Sequence, residues 1–174
     1  MGKKLESSFK NMVLVLFLVT LVSSAAVGVV NSLTSGLIEK VKIEKQIQAI
    51  RAVVPTFDND PMTEKQIVKA DGGELEFYPA KANGQLVGTA IKTFTNNGFG
   101  GLIELMIGFT PDGSIYNYSV LSHKETPGLG SKMDSWFVKG AKGDITGKNP
   151  GEAPLTVSKD GGEIDAITAS TITS

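Results

Sequence analysis

Two kinds of hydrophobic pattern follow each other along the chain. The first is a largely apolar run at residues 12–30, in which Thr20, Ser23 and Ser24 are the hydroxyl residues, and no charged residue lies between Lys10 and Glu39. An apolar run of about 20 residues is long enough to cross the ~30 Å hydrocarbon layer of a membrane as a helix. The pattern therefore predicts a transmembrane helix at residues 11–33, after a short N-terminal segment at residues 1–10.

The charges on either side of the apolar run predict its orientation. Lys3 and Lys4 precede it, whereas Glu39 is the first charged residue after it. By the positive-inside rule, the N-terminus is expected in the cytoplasm and the following domain on the outer, periplasmic face of the inner membrane. The alternative is a cleaved signal peptide with its cleavage site in the small residues 23–26. Apolar character resumes at residues 27–30, which favours a retained anchor.

The pattern is again helical over residues 37–54. Ile47, Ile50 and Val54 recur at helical spacing with polar residues between them. Pro55 is expected to end this helix, because the residue before a proline disfavours helical geometry. The helix is expected to connect the anchor to the exported domain and to pack one apolar stripe.

Residues 55–174 carry the second pattern and predict an α+β fold class with an antiparallel sheet. Four strands are predicted, at residues 74–77, 86–95, 102–110 and 114–121. The sequence at residues 111–113, Pro-Asp-Gly, predicts a turn between the last two strands, and Gly88 predicts a bulge. Ser131 is expected to cap a short helix at residues 131–139. Two further short strands are predicted, at residues 155–157 and 164–167.

Composition and charge exclude several classes of function. The 174 residues carry a formal net charge of -1 without a basic patch, so nucleic acid is not an expected partner. The chain has no cysteine, which excludes disulfides, thiolate metal sites and cysteine-ligated iron–sulfur clusters within it. His123 is the single histidine, so a histidine-rich metal site is not expected. The chain also lacks a Ser or Cys nucleophile elbow, so a hydrolytic triad is not expected.

Two segments contain candidate site residues. In residues 122–130, glycines allow backbone N–H groups to approach a ligand, and Glu125 and Thr126 offer an acceptor and a hydroxyl at the mouth of the loop. Residues 165–174 hold five hydroxyl residues among the last seven. By composition alone, the first segment is an ordinary loop and the second a polar, disordered tail. The glycine-rich stretch at residues 97–101 predicts a tight turn.

Together these segments resemble the FMN-binding domain family of the Rnf and Nqr electron-transport complexes. Similar proteins carry an N-terminal anchor, a strand leading into H-x-E-T-P-G-L-G, and a C-terminal D-x-[IV]-[ST]-G-A-T-x-[ST]-[ST] motif. Residues 123–130 match the first motif in full. Residues 165–174, here named the acceptor segment, keep the spacing of the second motif, with Ala169 and Ser170 in place of its glycine and alanine.

The resemblance implies that Thr171 holds FMN covalently through a phosphoester bond, which a flavin transferase forms from FAD with Mg²⁺. The implied flavin pocket is formed by Glu125, Thr126, Gly128 and Leu129, with Thr168 and Ser170 near the phosphate. At the position of Ala169 the family's glycine permits a positive φ, which alanine tolerates poorly. If the site needs that geometry, flavin attachment to this chain is expected to be slow.

The short length and the anchor are more similar to the G subunit of the Rnf complex than to the C subunit of the Na⁺-translocating NADH:quinone reductase, which stays the alternative within the family. The resemblance implies an electron-transfer subunit, without a catalytic site of its own, among other membrane subunits. That complex passes electrons between ferredoxin and NAD⁺ and couples this to ion transport. A cofactor-free scaffold subunit and a non-covalent flavin sensor are alternatives from other classes. Similar proteins continue for a short helix past the motif, so a further segment is expected beyond the printed sequence.

Overall fold

The long helix α1 (Phe9–Val53) is continuous through both of the segments predicted as separate helices. The computed structural model describes residues 8–70, 73–170 and 173, and it divides into two compact units, residues 1–44 and 45–174. Residues 34–36, which lie between the two predicted segments, are part of the same helix. The hydroxyls of Thr34 and Ser35 donate to the carbonyls of Val30 and Ser32 inside the helix, so these polar side chains do not interrupt it.

In the first unit, the side chains of α1 are almost all exposed. Within the described part of the chain, α1 is the one helix that is long and apolar enough to cross a membrane, by length and composition. The hydroxyl of Thr20 donates to the carbonyls of Leu16 and Phe17, and that of Thr34 to Val30. Polar groups satisfied within the helix in this way are compatible with a hydrocarbon environment.

The second unit is built on a five-stranded antiparallel sheet in which every strand pairs with its neighbours in sequence. The strands are β1 (Gln66–Ala70), β2 (Gly73–Ala82), β3 (Gln85–Gly98), β4 (Gly101–Phe109) and β5 (Ile115–Ser122). The predicted α+β class, the four predicted strands and the turn at residues 111–113 are confirmed. The bulge is also confirmed, since the register shifts between the pairs that Ala80 makes with Gly88 and Lys81 with Leu86.

The two faces of the sheet carry two separate hydrophobic clusters. On one face, the C-terminal turns of α1 pack Ile50 and Val53 against Tyr78 and Met106. On the other, Ile103 packs with residues that follow the sheet in sequence, Met133 and Ile167. Successive side chains of a strand point to opposite faces, so β4 contributes Ile103 to one cluster and Met106 to the other. The sheet is therefore covered on both sides.

Two predictions for the last third of the chain are wrong. Helical structure after Ser131 is limited to a 3-10 turn (Gly130–Lys132) and α2 (Met133–Trp136), and Ser131 does not cap it. The Ser131 hydroxyl instead accepts a hydrogen bond from the N–H of Gly128. The strands predicted at 155–157 and 164–167 are reduced to a single parallel bridge between Val157 and Ile164, with a 3-10 turn (Ser158–Asp160) between them.

Tyr118 connects the sheet to α2. Its phenol donates a hydrogen bond to the carbonyl of Met133 and accepts one from the N–H of Phe137 at 3.2 Å. Burial raises the pKa of the Tyr118 phenol, while the bond from Phe137 acts in the opposite direction. The phenol therefore stays protonated at neutral pH and keeps its role as donor. These two hydrogen bonds hold α2 against the sheet. The loop directly before α2 contains the first candidate motif.

Candidate cofactor site

The centre of the candidate site is the side chain of Glu125, which is only 6% exposed. The sequence predicted this side chain at the mouth of its loop, but in the structure it lies inside the protein. Its Oε1 accepts a hydrogen bond from the N–H of Gly100 at 2.8 Å, and its Oε2 accepts one from the hydroxyl of Thr173 at 2.7 Å. Glu125 therefore joins three segments that are far apart in sequence: the β3–β4 turn, its own loop and the acceptor segment.

Two glycines leave the space that this carboxylate occupies. A Cβ added at Gly98 would lie 2.8 Å from Oε1 of Glu125, and one added at Gly130 would lie 2.3 Å from Oε2. A third glycine, Gly100, allows the β3–β4 turn to approach the loop, because its Cβ would lie 2.2 Å from the carbonyl oxygen of Lys124. Contacts this close exclude any side chain at these positions.

A cavity of about 260 Å³ lies beside Glu125. It is lined by Phe99, Glu125, Thr126, Leu129, Gly130, Ala169, Ser170 and Thr173. The structure thus brings together Glu125, Thr126, Leu129 and Ser170 of the predicted pocket. It also contains Gly130, the last residue of the loop that the resemblance predicts to form the pocket, and it adds Phe99, for which a tight turn was predicted, together with Ala169 and Thr173.

Two other predicted pocket residues do not line the cavity. Gly128 has a φ of +77° and donates its N–H to Ser131, so it shapes the loop and is not a wall of the cavity. Thr168 is exposed, in a turn before Ala169. Thr171, the predicted attachment residue, lies outside the described residues, and so do residues 172 and 174.

The described residues of the acceptor segment are folded onto the domain, which differs from the disordered tail that composition alone suggests. Ile167 is 2% exposed in the second hydrophobic cluster, and Ser170 is 8% exposed beside the cavity. The carbonyl of Asp165 accepts a hydrogen bond from the indole N–H of Trp136 at 2.8 Å. The N–H of Ser170 donates to the carbonyl of Ile167, which closes a turn. Burial and these hydrogen bonds hold residues 165–170 next to Glu125.

Ala169 adopts the left-handed conformation at the centre of this turn, with a φ of +63°. For an L-residue other than glycine, this conformation costs roughly 1–2 kcal/mol. We therefore expect Ala169→Gly to raise the free energy of unfolding by about 1 kcal/mol, despite the greater freedom of glycine in the unfolded chain. Thermal unfolding of the full chain in detergent measures this as a melting temperature higher by a few degrees.

Ala166→Gly is the matched control, because Ala166 lies in the same segment and is not among the residues with positive φ. There the added freedom of glycine has no strain to offset it, so a loss of about 0.5–1 kcal/mol is expected. Equal destabilisation by both variants would show that the conformation of Ala169 is not strained.

His123 has its tautomer set by its own loop. Its Nδ1 accepts a hydrogen bond from the N–H of Glu125 at 3.1 Å, so the proton of the neutral ring is on Nε2, which lies 3.6 Å from a carboxylate oxygen of Asp134. The imidazole thus stabilises the backbone at Glu125 through this hydrogen bond, and it does not line the cavity. Among the described residues there is no group of acidic or histidine side chains suited to a metal ion.

Comparison with known proteins identifies the part of the chain that contains this cavity as a cofactor-binding domain. The FMN-binding domain family matches residues 98–174, which begin at the first glycine beside Glu125. The G subunit of the Na⁺-translocating ferredoxin:NAD⁺ oxidoreductase complex of Acetobacterium woodii is 33% identical, across 92% of this chain and 82% of the relative. The G subunit of the ion-translocating oxidoreductase complex is 34% identical in Vibrio atlanticus, across 92% and 80%, and 34% in Cereibacter sphaeroides, across 92% and 75%. The chain therefore belongs to the family of the G subunits of the ion-translocating oxidoreductase complexes, and its C-terminal part is an FMN-binding domain.

Proposed function

We propose that the chain is the FMN-carrying electron-transfer subunit of a membrane-bound, ion-translocating ferredoxin:NAD⁺ oxidoreductase complex, with its flavin bound covalently. The observation that carries the proposal is the convergence of three sequence-distant segments on one cavity, all inside the region that matches the FMN-binding domain family. The relatives are named as subunits of such complexes, which supports other membrane subunits as the partners of this chain.

The residues around the cavity fit a flavin. Phe99 and Leu129 are large apolar side chains that remain 72% and 41% exposed while they line the same cavity. A flat aromatic ring system between them would remove this apolar surface from water. Thr126 and Ser170 also line the cavity and are hydroxyl residues, which suits the polar edge of a flavin. When bound, FMN supplies one- and two-electron redox chemistry, while the chain positions it and tunes its potential.

The phosphoester attachment at Thr171 is supported by the position of its neighbours. Ala169 and Ser170 precede Thr171 and line the cavity, and Thr173 follows it and also lines the cavity. The attachment residue thus lies, in sequence, between residues that line the cavity, so a phosphate attached at Thr171 would keep the flavin close to the cavity. A flavin transferase is the expected partner for this attachment, since a threonine hydroxyl is a weak nucleophile that needs activation by an enzyme.

The apolar part of α1 supports the location. We expect it to be a retained, single-pass anchor in the inner membrane, with residues 1–10 in the cytoplasm and the flavin domain on the outer face. A covalent bond has a physical advantage there, because a non-covalent cofactor that dissociates outside the cytoplasm is diluted and lost. The polar residues between the apolar run and residue 45 are expected to continue the helix into water.

The test is co-expression of the full chain with and without a flavin transferase, followed by flavin fluorescence of the denatured protein in a gel. A fluorescent band that depends on the transferase is the expected result. A dark band, while a control acceptor protein is labelled in the same cells, would contradict covalent attachment. Yellow colour that is released on denaturation would indicate a non-covalent flavin protein, and a colourless native protein would favour the scaffold alternative.

A further inference from the structure

We propose that Glu125 is a positioning residue: by accepting the Thr173 hydroxyl, it latches the acceptor segment against the cavity. The Glu125–Thr173 latch extends the proposed covalent function and rests on it, because it gives this hydrogen bond a role in holding the attached flavin in place. The latch connects two residues 48 positions apart, at a distance of 2.7 Å between Oγ1 and Oε2.

Within the described part of the chain, the buried carboxylate has no charged partner that would explain it as a stabilising ion pair. None of the salt bridges among the described residues includes Glu125. From the residues that the structure describes, it accepts two hydrogen bonds, one from a backbone N–H in the β3–β4 turn and one from a hydroxyl of the acceptor segment. Burial of a charge is unfavourable unless hydrogen bonds compensate it. Opening the segment removes one of these two bonds, so the carboxylate favours the closed arrangement.

The carboxylate of Glu125 is held in place by its surroundings, so it is the fixed partner in the hydrogen bond with Thr173. Glu125 is only 6% exposed, and its Oε1 accepts the hydrogen bond from the N–H of Gly100 at 2.8 Å, which holds the carboxylate in place. The carboxylate is therefore a fixed acceptor, whereas Thr173 lies outside any helix or strand. A fixed acceptor and a donor on an irregular segment form a hydrogen bond that opens when the segment moves and reforms in the same place.

Reversible opening reconciles two requirements on the acceptor segment. The segment has to enter the active site of a transferase for FMN attachment, and afterwards it has to hold the flavin beside Phe99 and Leu129. Ile167 is buried in the second hydrophobic cluster, so the segment stays attached to the domain there when the hydrogen bond of Thr173 opens. One hydrogen bond to a charged group changes such an equilibrium by about tenfold or more.

The experiment compares wild type with Thr173→Val, Thr173→Ser and the control Thr146→Val in the full chain in detergent. Thr146 also donates its hydroxyl to a carboxylate, that of Asp144 at 2.7 Å, but lies away from the cavity. Hydrogen exchange is measured on the peptide that contains residues 165–174, in protein made without transferase. We expect exchange about tenfold faster in Thr173→Val. Thr173→Ser, which keeps the hydroxyl, and Thr146→Val are expected to match wild type in this peptide.

A second readout follows the flavin itself. After modification, time-resolved fluorescence anisotropy of the attached flavin is expected to gain a fast local component in Glu125→Ala, whose acceptor segment is unchanged, and in Thr173→Val. Thr173→Ser is expected to match wild type. If Thr173→Val takes up no flavin, the Glu125→Ala result decides this readout.

The outcomes separate the latch from the proposed function. Wild-type exchange rates in Thr173→Val, with flavin attached normally to the wild-type chain, would overturn the latch and leave the covalent function intact. Faster exchange in Thr173→Val, with a wild-type chain that takes no flavin, would support the hydrogen bond as a latch and overturn the covalent function. Faster exchange in Thr173→Ser as well would overturn the latch, since the hydroxyl would not be the cause.

Discussion

Thr171→Ala is expected to carry no covalent flavin, against a wild-type chain modified in the same cells. The substitution removes the hydroxyl oxygen that would form the phosphoester, so no smaller effect than complete loss is expected at this position. The fold is expected to persist, because the described residues of both hydrophobic clusters are unchanged in this variant. Flavin fluorescence of the denatured band and the melting temperature of the same preparation measure the two expectations together.

Three variants control for the choice of threonine. Thr171→Ser keeps a hydroxyl and is expected to retain some covalent flavin, whereas Thr168→Ala and Thr173→Ala are expected to keep the flavin at residue 171. Retention of flavin by denatured Thr171→Ala, with loss in one of the other two variants, would move the attachment site to that threonine. Peptide mass spectrometry of the fluorescent fragment would identify it directly.

Gly108→Ala is expected to lower the free energy of unfolding by about 3 kcal/mol or more. A Cβ at Gly108 would lie 1.5 Å from the carbonyl oxygen of Val53, which is at the end of α1 and 0% exposed. Relief of this overlap requires the end of α1 to move away from the sheet, which opens the contacts of Ile50 and Met106 in the first cluster. We expect the melting temperature in detergent to fall by about 10 °C or more.

Gly151→Ala is the matched control for the loss of glycine. A Cβ at Gly151 would meet only the side-chain oxygen of Asn149 at 3.2 Å, in an exposed loop. A change within about 0.5 kcal/mol is expected there. If Gly108→Ala unfolded at the temperature of Gly151→Ala, the close packing of α1 on β4 would be disproved.

Most of the sheet could be predicted because its strands carry local signals. Runs of β-forming residues on either side of the Pro-Asp-Gly turn at 111–113 mark β4 and β5 without reference to the rest of the chain. β1 was missed since all five of its residues are exposed, so its sequence has no buried face to reveal it. The strand prediction at 155–157 failed for the opposite reason: β-forming residues are present there, but beyond one bridge they have no partner strand.

The site could be predicted only in part, because its contacts join distant positions. The two motifs identified the loop and the acceptor segment, but nothing local distinguishes Gly98 and Gly100 from ordinary turn glycines. Their role depends on the carboxylate of Glu125, some 25 residues away. The periodicity of the sequence does not predict a contact between positions so far apart. The apolar turn residue Phe99 also gave no signal, and its exposure beside the cavity is a property of the folded chain alone.

The five strands lie in the sheet in the order in which they occur in the chain, and this order favours early folding of the sheet. Each strand pairs with the one that precedes it in the chain, so the sheet forms through short loop closures, which favour rapid folding. The cavity needs much longer closures, from residue 100 to 125 and from 125 to 173. The sheet therefore forms early and the cofactor cavity late. If the proposed flavin attachment takes place in this interval, the transferase meets a finished sheet before the hydrogen bond between Glu125 and Thr173 has formed.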